Sequence, residues 1–578
     1  MKNFKYSEIL NLNKRIGEEL KSSPYNIAIL SNITIHQIKE ILEYKIRSRG
    51  INAIVNIGDY NNILQDSKKY YDSNAVFIFW ELCNIIDGLQ YKAEIKNKND
   101  LDEILQNTKS EIDFIIKNLR NTSLVIMNKF TSISFSNSTL KKNNFEKLAD
   151  HLNKYLYNSI DLNFRLVDLE KVIVNVGLDN CLDFRYYYSS KALYKIDFFK
   201  AYAEYVSPYI MSANGKLKKA LIFDCDNTLW KGILGEDGFD NIEMSSRTKY
   251  GAIFEEIQSI ALALNKKGIL IGICSKNNFK DVNEVIKSHP DMQLREENII
   301  INKSNWSNKV TNLSQIAKEL NIGLESFVFI DDSSFEINLI KKKLPQITVL
   351  QVPKDLHCYP GLLRQNLGLF FNFSFTDEDS KKMKLYKEQL KRETIKKEFS
   401  DIEDYLSSLK LKVTIFEDDD TMIDRMSQMT QKTNQFNLTT KRYTERDILK
   451  FIEDNGSDVF AFSVSDKFGD YGITGLSIIT SNANKEKYEI DTLLMSCRVI
   501  GRNIEYAFLD FIIEKIKKRK IPNLKARYIK TSKNEQVRDF FDNCSFVLID
   551  EKEKVRNYIL DVKKYNRKKY DYIKVVYD

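Results

Sequence analysis

The run Leu221-Ile222-Phe223-Asp224-Cys225-Asp226-Asn227-Thr228-Leu229-Trp230 ends an apolar stretch in two carboxylates one residue apart. Such a stretch suits a parallel strand buried on both faces, which would deliver Asp224 and Asp226 together at its carboxyl end. Hard oxygen ligands gathered there suit Mg²⁺ and phosphate. Asp224 is the best nucleophile, attacking phosphorus to give an aspartyl phosphate. Asp226 can reach the leaving oxygen as general acid and then activate water as general base. Thr228 would steady the turn by hydrogen bonding beside the phosphate.

Three later segments supply what else a phosphoryl transfer needs. Ile273-Cys274-Ser275-Lys276-Asn277 places a hydroxyl at Ser275, where a phosphoryl oxygen could be held. Lys309, near a helix start, offers a cation to neutralise the phosphoryl group and the nucleophile. Phe327-Val328-Phe329-Ile330-Asp331-Asp332 ends in a second carboxylate pair, which with Asp224 and Asp226 would hold an octahedral Mg²⁺. Catalysis would rest on positioning and electrostatic stabilisation. Cys274, beside Ser275 and Lys276, has surroundings expected to lower a thiol's pKa. It is the expected acceptor of an acyl group as a thioester, the competing reading being a small buried residue that ends a strand. Cys225 must point away from Asp224 and Asp226 and is expected in the core.

The elements that position these residues follow from pattern. From Lys219 the chain alternates strand-like 220–224, helical 247–266, strand 268–274, helix 279–288, strand 298–302, helix 307–320, strand 326–331, helix 335–343 and strand 347–352. Helices between buried strands imply a doubly wound parallel sheet with ligands at the strands' carboxyl ends. A similar rhythm, with apolar runs at 26–32, 53–57, 75–80 and 123–127, predicts an α/β layer fold for residues 1–216. A charged segment, 376–410, reads as a helical linker after a 217–375 domain. Residues 411–578 combine strands at 458–465 and 488–495 with a helix from Arg498 to Ile516, an α+β unit. The whole is an α/β multidomain chain.

Composition narrows the function classes. Eighty-eight basic against 80 acidic residues leave a net charge of +8 over 578 residues, no nucleic-acid signature. The basic run 515–520 reads as a solvated helix face able to attract an acidic partner. The seven cysteines show no paired or framework spacing, which fits reduced thiols and a cytoplasmic location. No leader-like apolar segment or membrane-length run is expected.

The ordered D-x-D-x-T strand end, Ser275, Lys309 and the Asp331-Asp332 pair resemble the haloacid-dehalogenase superfamily. With the longer run Asp224 to Gly238, Cys274-Ser275-Lys276-Asn277 and Gln431-Lys432-Thr433-Asn434-Gln435-Phe436-Asn437-Leu438-Thr439-Thr440, residues 217–578 resemble the FkbH-like family. That resemblance implies a glyceryltransferase that takes the glyceryl unit of 1,3-bisphosphoglycerate, removes phosphate and loads an acyl carrier protein. A plain phosphatase with a separate acyltransferase unit, and a non-catalytic scaffold in a biosynthetic complex, are the alternatives. Cys225 and Lys231 depart from the family pattern.

Ser496-Cys497-Arg498-Val499-Ile500-Gly501-Arg502-Asn503 lies between a strand and a helix, an anion-binding arrangement. It resembles the pyrophosphate loop of GNAT acyltransferases, with Asn534 also in a familiar place. The resemblance implies that Cys497, Arg498, Gly501, Arg502 and Asn534 bind coenzyme A or the phosphopantetheine of a carrier. Cys497 could relay the acyl group or be structural. Residues 1–216 resemble the SGNH-hydrolase-like region at the front of long FkbH-like proteins. Ser31 stands where the nucleophile would, but the downstream D-x-x-H is missing, and only His36 and His151 lie in the unit. A degenerate, structural or carrier-binding domain is expected.

Overall fold

The computed structural model describes the chain except residues 2–3, 136–140, 374–384, 389–391, 393–398, 400, 483–487, 532, 567, 569 and 578. Much of the expected linker at 376–410 lies outside the described residues. The chain divides into two compact units, one of residues 1–214 with 443–450, the other of 215–442 with 451–578.

The first unit carries β1 (Tyr25–Ser31), β2 (Ala53–Ile57), β3 (Ala75–Phe79), β4 (Val125–Asn128) and β5 (Phe164–Val167), all parallel in the order β2-β1-β3-β4-β5. β3 reads Ala-Val-Phe-Ile-Phe with every residue buried, the unbroken apolar run required of a strand covered on both faces. At the end of β1 the Ser31 hydroxyl donates to the Ile33 carbonyl at 3.0 Å and accepts from the Ile33 amide at 3.1 Å. It closes a local turn, and both His36 and His151 are exposed.

Just past β3, Glu81 is buried, its amide donating to Asn32 Oδ1 at 2.8 Å and its carboxylate accepting from the Tyr194 hydroxyl at 2.8 Å. Burial pushes its carboxyl up to about 7, against the lowering effect of the Tyr194 hydrogen bond. A folded pKa above the unfolded one means stability fully present below about pH 4.5 and lost as pH rises through 7. Glu81→Gln, which keeps an acceptor for Tyr194, is expected to remove this loss. At pH 8 it should stabilise the unit by about 3 kcal/mol, read by chemical denaturation at pH 5 and 8.

In the second unit β6 (Ala220–Phe223), β7 (Leu270–Ser275), β8 (Ile299–Ser304), β9 (Phe327–Asp331) and β10 (Thr348–Gln351) form another parallel sheet, ordered β10-β9-β6-β7-β8. β6 is central, so its carboxyl end lies between those of β7 and β9. The intervening helices begin where side chains cap them. Asn308 Oδ1 accepts from the Val310 amide at 2.8 Å ahead of the helix Lys309–Leu320. Ser333 Oγ accepts from the Glu336 amide at 3.4 Å ahead of Ser334–Lys343. Each cap satisfies an amide the first turn leaves open, and the first of them fixes Lys309 as a helix's opening residue.

The remaining strands form a mixed sheet. They are β11 (Leu411–Glu417), β12 (Phe436–Asn437), β13 (Ser457–Asp466), β14 (Gly469–Ser481), β15 (Tyr488–Met495), β16 (Asn523–Ile529), β17 (Val547–Lys552), β18 (Val555–Asp561) and β19 (Ile573–Tyr577). The path runs β17-β18-β16-β15-β14-β13-β11-β19, with β12 pairing β15. β15 and β16 pair in parallel from Tyr488↔Leu524 to Ile490↔Ala526. Farther along, β12 pairs with β15 at Phe436↔Met495 and Asn437↔Leu494. The next residue, Leu438, donates to the Leu493 carbonyl at 3.1 Å and accepts from the Ile529 amide at 2.8 Å. Residues 436–438 thus bridge the two strands where their direct pairing ends. The helix expected from Arg498 begins at Ile504 instead. Gly501 and Asn503 have φ of +80° and +61°, left-handed backbone that a right-handed helix cannot contain.

Candidate active site

Asp224 follows β6 directly, its amide donating to the Ile330 carbonyl of β9 at 2.9 Å. The residue is 7% exposed, and its Oδ1 is buried without a hydrogen-bond partner. Asp226 accepts three hydrogen bonds, from Trp230 Nε1 at 3.0 Å and the Leu234 amide at 3.1 Å on Oδ1, and from Asn277 Nδ2 at 2.9 Å on Oδ2. The turn that carries Asp226 is closed by the Thr228 and Leu229 amides donating to the Cys225 carbonyl at 3.0 and 2.7 Å. Asn227 takes the left-handed φ of +50° that this turn requires.

Lys309 bridges two carboxylates, 3.1 Å from Asp224 Oδ2 and 2.7 Å from Asp331 Oδ2. Burial works to lower its pKa, but Asp224 and Asp331 together outweigh it and hold the ammonium above its ordinary value. Asp331 is pushed up to about 7, by burial first and then by Asp224, against Lys309 and the Ser333 amide. Asp332 is raised by burial and Asp224 in the same way.

Asp224, Asp331 and Asp332 each offer an oxygen within 4.8 Å of the others'. Three hard donors, one with an unpartnered buried oxygen, fit Mg²⁺. Asp226, expected among the ligands, stands outside this cluster and is held by its three donors instead. Ser275 is buried at the end of β7, its Oγ accepting from Asn277 Nδ2 at 3.1 Å. Thr228 is fully buried. The turn is steadied by its backbone, whose carbonyl accepts from the Tyr359 hydroxyl at 3.1 Å, and the side-chain oxygen has no partner.

The expectation of a low-pKa thiol at Cys274 does not hold. Its side chain packs with Ala220, Ile222 and Leu313, and its Sγ lies 3.9 Å from the Lys309 carbonyl. Burial pushes the thiol up, more than nearby Lys309 lowers it. Lys276, expected to help, pairs with Glu336 at 2.7 Å. Cys225 packs in the core on the other side of β6, with Leu221 and Phe223.

Of the residues expected to bind a coenzyme or carrier arm, two are committed elsewhere. Arg502 is buried against Asp466 at 3.4 Å and the Tyr471 hydroxyl. Asn534 is fully buried, donating to the Asn437 and Ile529 carbonyls at 2.9 Å each and accepting from the Thr531 amide at 2.8 Å. It ties the inserted residues 436–438 to β16. Asn534→Ala is therefore expected to destabilise the second unit by about 2–3 kcal/mol, measured by urea denaturation. Gly501 faces open space, whereas Cys497 and Arg498 line a cavity remote from Asp224.

Asn277, Trp230 and Tyr359 complete the site without having been singled out in sequence. Asn277 and Trp230 sit two and four residues after Ser275 and Asp226, a local signal. Tyr359 reaches Thr228 across 131 residues, for which the sequence holds no cue.

No protein-family model and no curated protein matches the sequence. Among solved structures, the N-terminal part of a Bacteroides fragilis protein containing a phosphatase domain, complexed with Mg, aligns at TM-score 0.57 and 24% identity. It covers 64% of this chain and 100% of that one, a likeness of fold. A spermidine N-acetyltransferase mutant from Vibrio cholerae (12% identity, 26% of this chain and 95% of that one, TM-score 0.21) is also similar. So is an N-acetyltransferase from Thermoplasma acidophilum in complex with coenzyme A (16%, 21% and 72%, TM-score 0.18). At such scores neither bears on fold or function.

Proposed function

We propose that the chain is a Mg²⁺-dependent glyceryltransferase and phosphatase that takes a glyceryl unit from 1,3-bisphosphoglycerate, removes phosphate and loads the unit onto an acyl carrier protein. The observation that carries the phosphatase half is Asp224, a buried carboxylate with one oxygen unpartnered and the other held by Lys309. Asp224 Oδ1 attacks phosphorus, and Asp226, oriented by Trp230, Leu234 and Asn277, gives the leaving oxygen its proton and later takes one from water. Lys309, 3.1 Å from Asp224 Oδ2, balances negative charge as it develops at the site. Asp224, Asp331 and Asp332 would hold Mg²⁺, which neutralises phosphoryl charge. The Mg complex of the Bacteroides fragilis phosphatase-domain protein agrees with this.

The transfer half rests on the motif runs 224–238 and 431–440. The acyl carbon of the acyl phosphate passes to a phosphopantetheine thiol, and the ester phosphate is hydrolysed at Asp224. The N-terminal unit serves as a structural or carrier-binding domain, a reading supported by the Ser31 hydroxyl being engaged with Ile33.

Incubation with Mg²⁺, 1,3-bisphosphoglycerate and a holo carrier protein, followed by intact mass of both proteins and a phosphate assay, tests this. A glyceryl-sized adduct on the carrier is expected. Phosphate release with no adduct on any carrier would overturn the transfer half, and no release would overturn both.

A further inference from the structure

A cavity of about 310 Å³ lies within the second unit, at the opposite end of the parallel sheet from Asp224. Its walls include Lys219 just before β6, the connector 321–326 just before β9, and the turn 496–498 after β15. Lys219 and Asp224 are five residues apart along an extended strand, roughly 17 Å, so this space is separate from the carboxylate cluster. Its volume is that of a small-molecule site.

Arg498 is the group here whose bonding the protein leaves incomplete. It is 6% exposed, its Nε donates to Ser496 Oγ at 3.3 Å, and its Nη1 is buried with no hydrogen-bond partner. No carboxylate among the described residues pairs with it. A guanidinium taken out of water without a counter-charge is strongly unfavourable, and an anion's oxygen would complete it. The turn that presents it is fixed on both sides. Asn321 Nδ2 donates to the Cys497 carbonyl at 3.1 Å, and the Arg498 carbonyl accepts from Arg502 Nη2 at 3.0 Å.

Two further lining groups have bonding capacity left. Gln435 Oε1 is buried without a partner, an acceptor that needs an N–H or O–H. Lys219 is half-buried, and its ammonium donates to the Lys432 carbonyl at 2.6 Å, which uses one of its three protons. Glu325, the acidic residue of the lining, is already paired with Lys533 at 2.7 Å.

We propose that this cavity is a binding site for a small hydroxylated phosphate ester, with a phosphate oxygen on Arg498 Nη1 and a hydroxyl donating to Gln435 Oε1. Two cations, Arg498 and Lys219, match the nearly two negative charges of a phosphate monoester at neutral pH, whereas a carboxylate or a phosphodiester would leave one unmatched. The planar guanidinium suits phosphate oxygens. No bond is made or broken, and the site stands whether or not the reading of the Asp224 site does.

Calorimetric titration of the full chain with glycerol 3-phosphate tests this, in EDTA so that no Mg²⁺ draws phosphate to the carboxylates. One site per chain is expected, with methyl phosphate, which lacks the hydroxyls, bound about fivefold more weakly. Arg498→Gln is expected to weaken binding at least about tenfold, and to leave the ligand-free melting temperature level or higher because it removes an uncompensated buried charge. Hydrogen exchange on the wild-type protein keeps the result decisive should the variant fail to fold. Glycerol 3-phosphate should protect 321–326 and 496–498 and leave 224–238 unchanged. No binding, binding unchanged in Arg498→Gln, protection at 224–238 instead, or coenzyme A bound in preference to glycerol 3-phosphate would each overturn the assignment.

Discussion

Asp224→Asn is expected to lower phosphate release on the order of 10⁴-fold or more, the scale of losing a nucleophile from a group that acts as a unit. The substitution keeps shape and removes one charge. Lys309 still finds an oxygen at the position now 3.1 Å away and keeps Asp331 as its partner, so the fold should survive. The carboxamide cannot form a phosphoaspartate, and the uncatalysed step is left to Asp226 and water. The same change also removes a negative charge from beside Asp331 and Asp332, both raised in part by Asp224. Thermal stability without metal should therefore hold or rise while activity disappears. Phosphate release and melting temperature measured on one preparation separate the two effects; turnover surviving in Asp224→Asn would remove Asp224 from the nucleophile's place.

Strand and helix order in the central sheet was legible chiefly because β6, β7 and β9 are buried along their whole length and written as largely apolar runs, whereas β8 turns polar at Asn302 and Lys303 and β10 is only partly buried. The helix over 279–288 is found at Phe279–Ser288, and the strand predicted at 326–331 runs Phe327–Asp331. The carboxylates and Lys309 were legible for a related reason, since in a parallel sheet chemistry collects at strand ends and the first turns after them. What could not be read was which way a side chain's partners lie. Cys274 and Ser275 are adjacent on one strand and so point to opposite faces; the thiol's share of that alternation is the apolar layer with Ile222 and Leu313. The 431–440 run has a motif's look, yet part of its role is architectural, with Leu438 filling a gap between β15 and β16 that only tertiary structure creates. The 496–503 loop failed as a helix start because Gly501 and Asn503 needed left-handed backbone. That turn leaves Arg498 and Arg502 both buried, one lining the cavity and one against Asp466.

Lys309→Met should cost both activity and stability, with a pH dependence that identifies the cause. Lys309 is 3% exposed and sits between Asp224 and Asp331. Removing one partner of a buried ion pair leaves uncompensated charge, which costs about 3–5 kcal/mol, and a lost electrostatic stabiliser lowers turnover about 10²–10³-fold. Asp331 already stands at about 7 with Lys309 pulling it down, so without Lys309 it rises further. A carboxyl whose folded pKa is raised contributes stability that is complete below its unfolded pKa and lost as pH climbs through the folded one. In metal-free buffer the variant's deficit should therefore be small at pH 5 and largest above pH 7. Mg²⁺ should raise the melting temperature of Lys309→Met more than that of the wild type, because the ion supplies the positive charge the carboxylates have lost. A deficit equal at pH 5 and pH 8, and unmoved by Mg²⁺, would mean that Lys309 packs against its neighbours rather than balancing them.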